Sequence, residues 1–161
     1  MIQLFYNRSS FLLFGLFIFF AVSCGKPPLI DKSMEVNETS WDVKEKLKVD
    51  VLIDDTISSF NFHINIRNTT DFKNSNFFLF IKTTFPNGQI AIDTLGFYLA
   101  NNEGKWLGKG NGKIKDNKIL FKRAAIFPMI GKYTFEIEHA MREKQVSGIK
   151  TIGIRIEKNT N

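Results

Sequence analysis

Few side chains in this 161-residue chain could do chemistry: one cysteine, Cys24, two histidines, His63 and His139, and two glutamates two positions apart, Glu136 and Glu138. A single cysteine rules out an intramolecular disulfide or a cysteine-built zinc site. Glutamates at that spacing share one face of a strand, which could serve a glycosidase, but an outward strand face explains them equally well. His63 alternates with Asn61, Asn65 and Arg67 on the polar side of a strand pattern and reads as a solvated surface histidine, while His139 ends its strand. The run Gly108, Gly110, Gly112 has no helical pattern after it to complete a phosphate cradle. No G-x-S-x-G, H-E-x-x-H, Walker-A or dinucleotide fingerprint occurs. Group transfer or hydrolysis requires a nucleophile with a base, paired carboxylates in a cleft or clustered metal ligands. The sequence therefore predicts a chain that is not an enzyme and takes no metal or cofactor.

Aromatic side chains offer binding instead. Trp106 lies between the turn cluster Asn101–Gly104 and the glycine-rich stretch, and with Tyr98 and the polar Arg142 it could hold a sugar ring. A loop tryptophan can equally plug a core, and Trp41 is expected to cover an open end of the domain.

Cys24 is explained by what precedes it. A polar opening with Arg8 leads into the charge-free run Phe11–Val22, about a dozen residues and well short of the ~20 that span a bilayer. Small residues, Ala21-Val22-Ser23, lead directly into Cys24-Gly25, which has the form of a lipobox for diacylglycerol attachment and cleavage before Cys24, with Ala21 where a Leu is usual. Residues 1–23 are thus expected to be a cleaved lipoprotein signal peptide, and two acyl chains at ~0.8 kcal/mol per buried methylene would hold the mature chain on a membrane. Lys26-Pro27-Pro28 and the unpatterned stretch that follows predict a lipidated N-terminus and linker over 24–40.

The mature 138 residues suffice for one domain. Removing residues 1–23, whose only charged side chain is Arg8, leaves 21 basic and 16 acidic residues, a net of +5. Such a surplus suits weak attraction to anionic headgroups or glycans, but it is scattered and not gathered into the stripe nucleic acid requires. From Leu47 the apolar period is two: Leu47, Val49, Val51 and Ile53, then Phe60, Phe62, Ile64 and Ile66, two runs expected to pair with each other. Asn76–Phe85 is apolar almost throughout and predicts a central strand covered on both faces, returning through Pro86-Asn87-Gly88 as a hairpin. Further strands are expected after an Asp116-Asn117 turn, over Lys132–Glu138 and over Gly148–Lys158, with one short helical turn over Ala140–Lys144. About eight strands without β-α alternation predict an all-β, antiparallel two-sheet sandwich over 41–158, jelly-roll or immunoglobulin-like, with a tail at 159–161.

Three long segments carry a family resemblance: INIRNTTDFKNSNFFLFIKTTFPNG (Ile64 to Gly88), DTLGFYLANNEGKWLGKGNGKIKDNKILFK (Asp93 to Lys122) and YTFEIEHAMREKQVSGIKTIGIRIEK (Tyr133 to Lys158). They resemble the GldH gliding-motility lipoprotein family across nearly the whole mature domain. The resemblance implies a Bacteroidetes-type cell-envelope lipoprotein associated with the gliding machinery, which overlaps functionally with type IX secretion of surface adhesins. It implies partners among envelope proteins and no defined catalytic residues, so Cys24 alone receives a role. Members of the family also occur in bacteria that do not glide, which leaves a more general envelope role open. Gly25-Lys26 after the cysteine lack the acidic run that marks surface export in such bacteria, so the expected side is the periplasm.

Overall fold

The structure is a computed structural model and describes residues 27–160. The expected signal peptide and Cys24 lie outside the described residues. The described residues form ten strands: β1 (Ile30–Glu35), β2 (Trp41–Asp42), β3 (Leu47–Ile53), β4 (Ser59–Thr69), β5 (Asn76–Thr84), β6 (Ile90–Tyr98), β7 (Ile114–Ile126), β8 (Gly131–His139), β9 (Gln145–Val146) and β10 (Ile149–Lys158). One four-stranded sheet has the order β1-β10-β4-β7 and the other β3-β8-β5-β6, every pairing being antiparallel, while β2 and β9 form a small separate pair. Setting that pair aside and counting the eight long strands in chain order, the sheets read 1-8-3-6 and 2-7-4-5. That is the jelly-roll arrangement of two Greek keys; an immunoglobulin-like sandwich would place its first two strands side by side in one sheet.

The alternation read from the sequence is the alternation of burial. Leu47, Val49, Val51 and Ile53 are buried while Lys48, Asp50 and Leu52 face water, and Tyr133, Phe135 and Ile137 do the same on β8. Side chains of successive strand residues point to opposite faces, so each sheet has one apolar face, and the two apolar faces close on each other. Phe127 fastens one end of this core, its ring 5.3 Å from Phe60, 5.4 Å from Phe62 and 5.0 Å from Tyr133. Trp41 fastens the other end as expected: it is fully buried, 6.0 Å from Phe77, and its indole Nε1 donates to the Glu45 carbonyl at 2.9 Å.

Several expectations are corrected. β3 and β4 do not pair but lie in opposite sheets, because a period of two reports which face is buried and not which strand lies alongside. The Asp54–Ser58 link arches between sheets, shaped by the Asp55 carboxylate accepting from the backbone N–H groups of Ile57 at 3.0 Å and Ser58 at 2.8 Å. The stretch expected as linker contains β1, an edge strand whose six residues IDKSME bury little and are held by their ladder to β10. β5 is central in its sheet but covered on one face only, with Phe78 and Phe80 turned outward. Asp116 and Asn117 lie inside β7 and not in a turn. No helix occurs among the described residues; in place of the turn expected over Ala140–Lys144, the Ala140 N–H donates to Phe78 and the Lys144 carbonyl accepts from Val43. The Pro86-Asn87-Gly88 hairpin stands as expected, with Gly88 at φ +82°.

Opposite burial of adjacent residues gives a direct test. Ile53 is 2% exposed and Leu52 75% exposed. By urea denaturation Ile53→Ala should cost about 2–5 kcal/mol of stability and Leu52→Ala no more than about 0.5 kcal/mol. Equal costs would contradict the register of β3.

Candidate functional site

The outer face of the β1-β10-β4-β7 sheet is polar and divides into two halves. Toward the C-terminal end of β10 it is filled by an ion network: Arg155 bonds Asp31 and, at 2.7 Å, Glu157, which also accepts from Lys118 Nζ at 3.0 Å. These cations pull the Glu157 carboxyl down to about 2, Arg155 contributing most. His63 lies under this network, its Nδ1 3.7 Å from Glu157, and is only 9% exposed. The expectation of a solvated histidine is corrected: its polar neighbours in sequence are outward, but side chains from β10 and β7 close over it. Burial pushes its pKa below the ordinary histidine value, Lys118 and Arg155 adding to the effect while Glu157 opposes it.

The other half is open. A groove of about 780 Å³ is lined by Ser33 of β1, Thr151 of β10, Asn65 and Arg67 of β4, and Asp116 and Lys118 of β7, with Tyr98, Leu107 and Lys109 along one wall. Arg67 Nε donates to Asp116 Oδ1 at 2.7 Å, and Asn117 Nδ2 donates to Asn68 Oδ1 at 2.9 Å and to the Ile66 carbonyl. The wall exists because of glycine. A Cβ on Gly110, at φ +125°, would meet the Ile114 carbonyl at 2.7 Å, so the β6–β7 connection can lie against β7 only with glycine there, and one on Gly108 would press on the Asn117 side-chain amide at 2.9 Å. Of the three alternating glycines, Gly110 thus serves close backbone approach, while Gly112 has open space around it.

The residues singled out for binding do not converge. Tyr98 is 65% exposed on the groove wall. Trp106 is half-buried and packs against the core, outside the groove lining, and Arg142 is exposed in the connection between β8 and β9, away from it. Sequence reasoning missed Ser33, Arg67, Asp116, Lys118 and Thr151. The polar alternation of Asn65 and Arg67 was visible, but nothing in sequence places β1 and β7 on either side of them.

The other titratable groups singled out from the sequence, Glu136, Glu138 and His139, are held in structural roles. Glu136 and Glu138 share the outer face of β8, but Glu136 is bonded by Lys82 at 2.8 Å and Glu138 by Lys46. Lys82 is the main reason the Glu136 carboxyl lies below the usual range, which keeps it ionised and unable to act as a proton donor near neutrality. His139 is fully buried, edge-on to Trp41 at 5.0 Å, and neither ring nitrogen has a hydrogen-bond partner. Burial lowers its pKa, with Trp41 and Lys144 backbone groups opposing the shift. Among the described residues no three His, Cys, Asp or Glu side chains converge as metal ligands.

Fold and face together define a class: a jelly-roll sandwich that displays an open polar groove on one sheet. A model of the family described as GldH lipoprotein matches residues 29–156, and the chain belongs to that family. It is 34% identical to a gliding motility lipoprotein GldH homolog of Christiangramia forsetii, over 96% of this chain and 99% of that protein. It is 29% identical to the gliding motility lipoprotein GldH of Flavobacterium johnsoniae, over 94% and 96%. Among solved structures, a dimeric latent PorU from Porphyromonas gingivalis is similar at a TM-score of 0.38 and 11% identity, over 86% of this chain and 14% of that one, too distant a likeness to carry a conclusion.

The two buried histidines fix a pH dependence. Their folded pKa values lie below the ordinary value of about 6.5, so as pH falls through that value the unfolded chain binds protons the native chain refuses. Stability should therefore fall from about pH 7 to about pH 5, before carboxylates such as Glu157 titrate, and His139→Phe should flatten the slope. Denaturation midpoints that stay constant over this interval would contradict the burial of both rings.

Proposed function

We propose that the mature chain is a lipid-anchored structural or assembly component of the gliding and type IX secretion-associated machinery, facing the periplasm. The observation that carries this reading is the match, along nearly the whole chain, to two proteins called gliding motility lipoproteins. On this reading residues 1–23 are the signal peptide, Cys24 carries the acyl chains, and the sandwich is a contact module. The groove supports it. The face is lined by hydrogen-bonding and charged groups that are fixed by strands, so it can bind a partner without rearranging, which reduces the ordering cost of association. The groove also lies at the Thr151 end of the sheet, opposite the end where the chain arrives from Cys24, and so points away from the anchor.

A second reading is favoured by Tyr98 alone: an exposed ring above polar strand residues is the arrangement on which a sugar stacks. Both readings use the same groove, so one variant tests both. Lys118→Glu combined with Tyr98→Ala should reduce recovery of motility or secretion proteins from detergent-solubilised envelopes by about tenfold, as loss of two central contacts does at other interfaces. A glycan array gives the alternative: specific signal lost in the variant would assign the groove to carbohydrate. Recovery of no motility or secretion protein by the wild type, with normal motility after deletion, would refute the leading reading.

A further inference from the structure

The two ends of the sandwich differ chemically. β1 begins at Ile30 opposite Ile156, near the C-terminal end of β10, and the ladders carry that level across to Phe62 of β4 and Lys122 of β7. At this end lie the β3–β4, β5–β6 and β7–β8 connections, with Gly131 of β8 against both Ile53 and Pro86. These three connections, residues 54–58, 85–89 and 127–130, contain only Asp54 and Asp55 as charged residues, and Asp55 is paired with Lys158. At the opposite end the β6–β7 connection alone contains Glu103, Lys105, Lys109 and Lys113.

The first end exposes aliphatic side chains: Ile57 at 90%, Leu52 at 75%, Ile130 at 66% and Ile126 at 57%. Single exposed apolar residues are ordinary, but four large ones at one end, whose three connections hold Asp54 and Asp55 as their charged residues, mark a surface that meets something apolar. Beside them Arg123 is exposed and has no carboxylate partner among the described residues. The length of the tether identifies the occupant. Cys24 precedes Ile30 by six residues, which reach at most ~20 Å when fully extended. β7 alone, at 13 residues, is roughly 40 Å long. An acylated Cys24 therefore holds this end, and not the groove end, within reach of the headgroups.

We infer that this end docks on the bilayer that carries the anchor, with Leu52, Ile57, Ile126 and Ile130 entering the headgroup region and Arg123 meeting an anionic headgroup. The sandwich then stands upright and presents its groove away from the membrane. This rests on the reading that Cys24 is acylated.

Because Cys24 is consumed by lipid, an added cysteine is the only thiol to label. Acylated full-length protein with Ile57→Cys or Ile130→Cys, labelled with an environment-sensitive fluorophore, is placed in phosphatidylethanolamine–phosphatidylglycerol vesicles containing lipid spin-labelled near its headgroup, with Leu107→Cys as the far-end control. Quenching at 57 and 130 should exceed that at 107 by about threefold, and Leu52→Asp with Ile126→Asp should abolish the difference. Equal quenching at all three positions, with the protein still floating with vesicles, would overturn the docking and leave the anchor standing. Protein that does not float would overturn the anchor and this inference with it. Energy transfer between labels on separate molecules would give this end to a second copy and overturn it too.

Discussion

The two sheets share no hydrogen-bonded ladder, so the contact between their inner apolar faces is the interaction on which the rest of the structure depends. Ile64, Ile66, Ile137, Ile152, Ile154 and Ile156 are essentially without solvent exposure, and each side chain of this size contributes about 1.5–3 kcal/mol by leaving water. Polar links between sheets exist but are peripheral, such as Lys122 of β7 reaching Asp93 of β6 at 2.7 Å across one open flank. Exposed pairs of that kind contribute at most about 1 kcal/mol. Stability therefore fixes every second residue of the long strands and leaves the alternate residues, the edges and the connections free to serve as surface.

That division explains what could be read from the sequence. Strands with one face in this core, β3, β4, β8 and β10, announce themselves by alternation, and the two-sheet sandwich follows. β1 does not, because an edge strand is held by backbone hydrogen bonds and its side chains IDKSME need no apolar period. The pairing of strands was equally hidden, since β3 and β4 turn their apolar residues into one interior from opposite sheets. The burial of His63 is hidden for a related reason: it lies on the outer face, as the alternation says, yet Arg155, Lys118 and Glu157 come to cover it from strands remote in sequence. The groove was the least legible feature. Tyr98 was visible as an aromatic near a glycine-rich stretch, but Arg67, Asp116 and Ser33 become one surface only once β1 and β7 flank the β4 and β10 pair.

The surfaces left free by the core are arranged along one axis. At the end reached first from Cys24, the connections are nearly uncharged and aliphatic; at the other, they are charged and include the long β6–β7 connection, with the groove opening beside it. Glycine at 110 lets the longest of these connections lie against β7, which gives the groove its wall. On the proposed reading this makes a tethered domain with a membrane-facing base and a polar partner-facing end, the form expected of a component that acts by position and contact.

If acyl chains at position 24 provide the attachment around which this polarity is built, mass spectrometry of the protein isolated from its native envelope should find a mature N-terminus at Cys24, its peptide heavier than the sequence mass by a diacylglyceryl group. An intact or differently cleaved N-terminus carrying an unmodified Cys24 would contradict it.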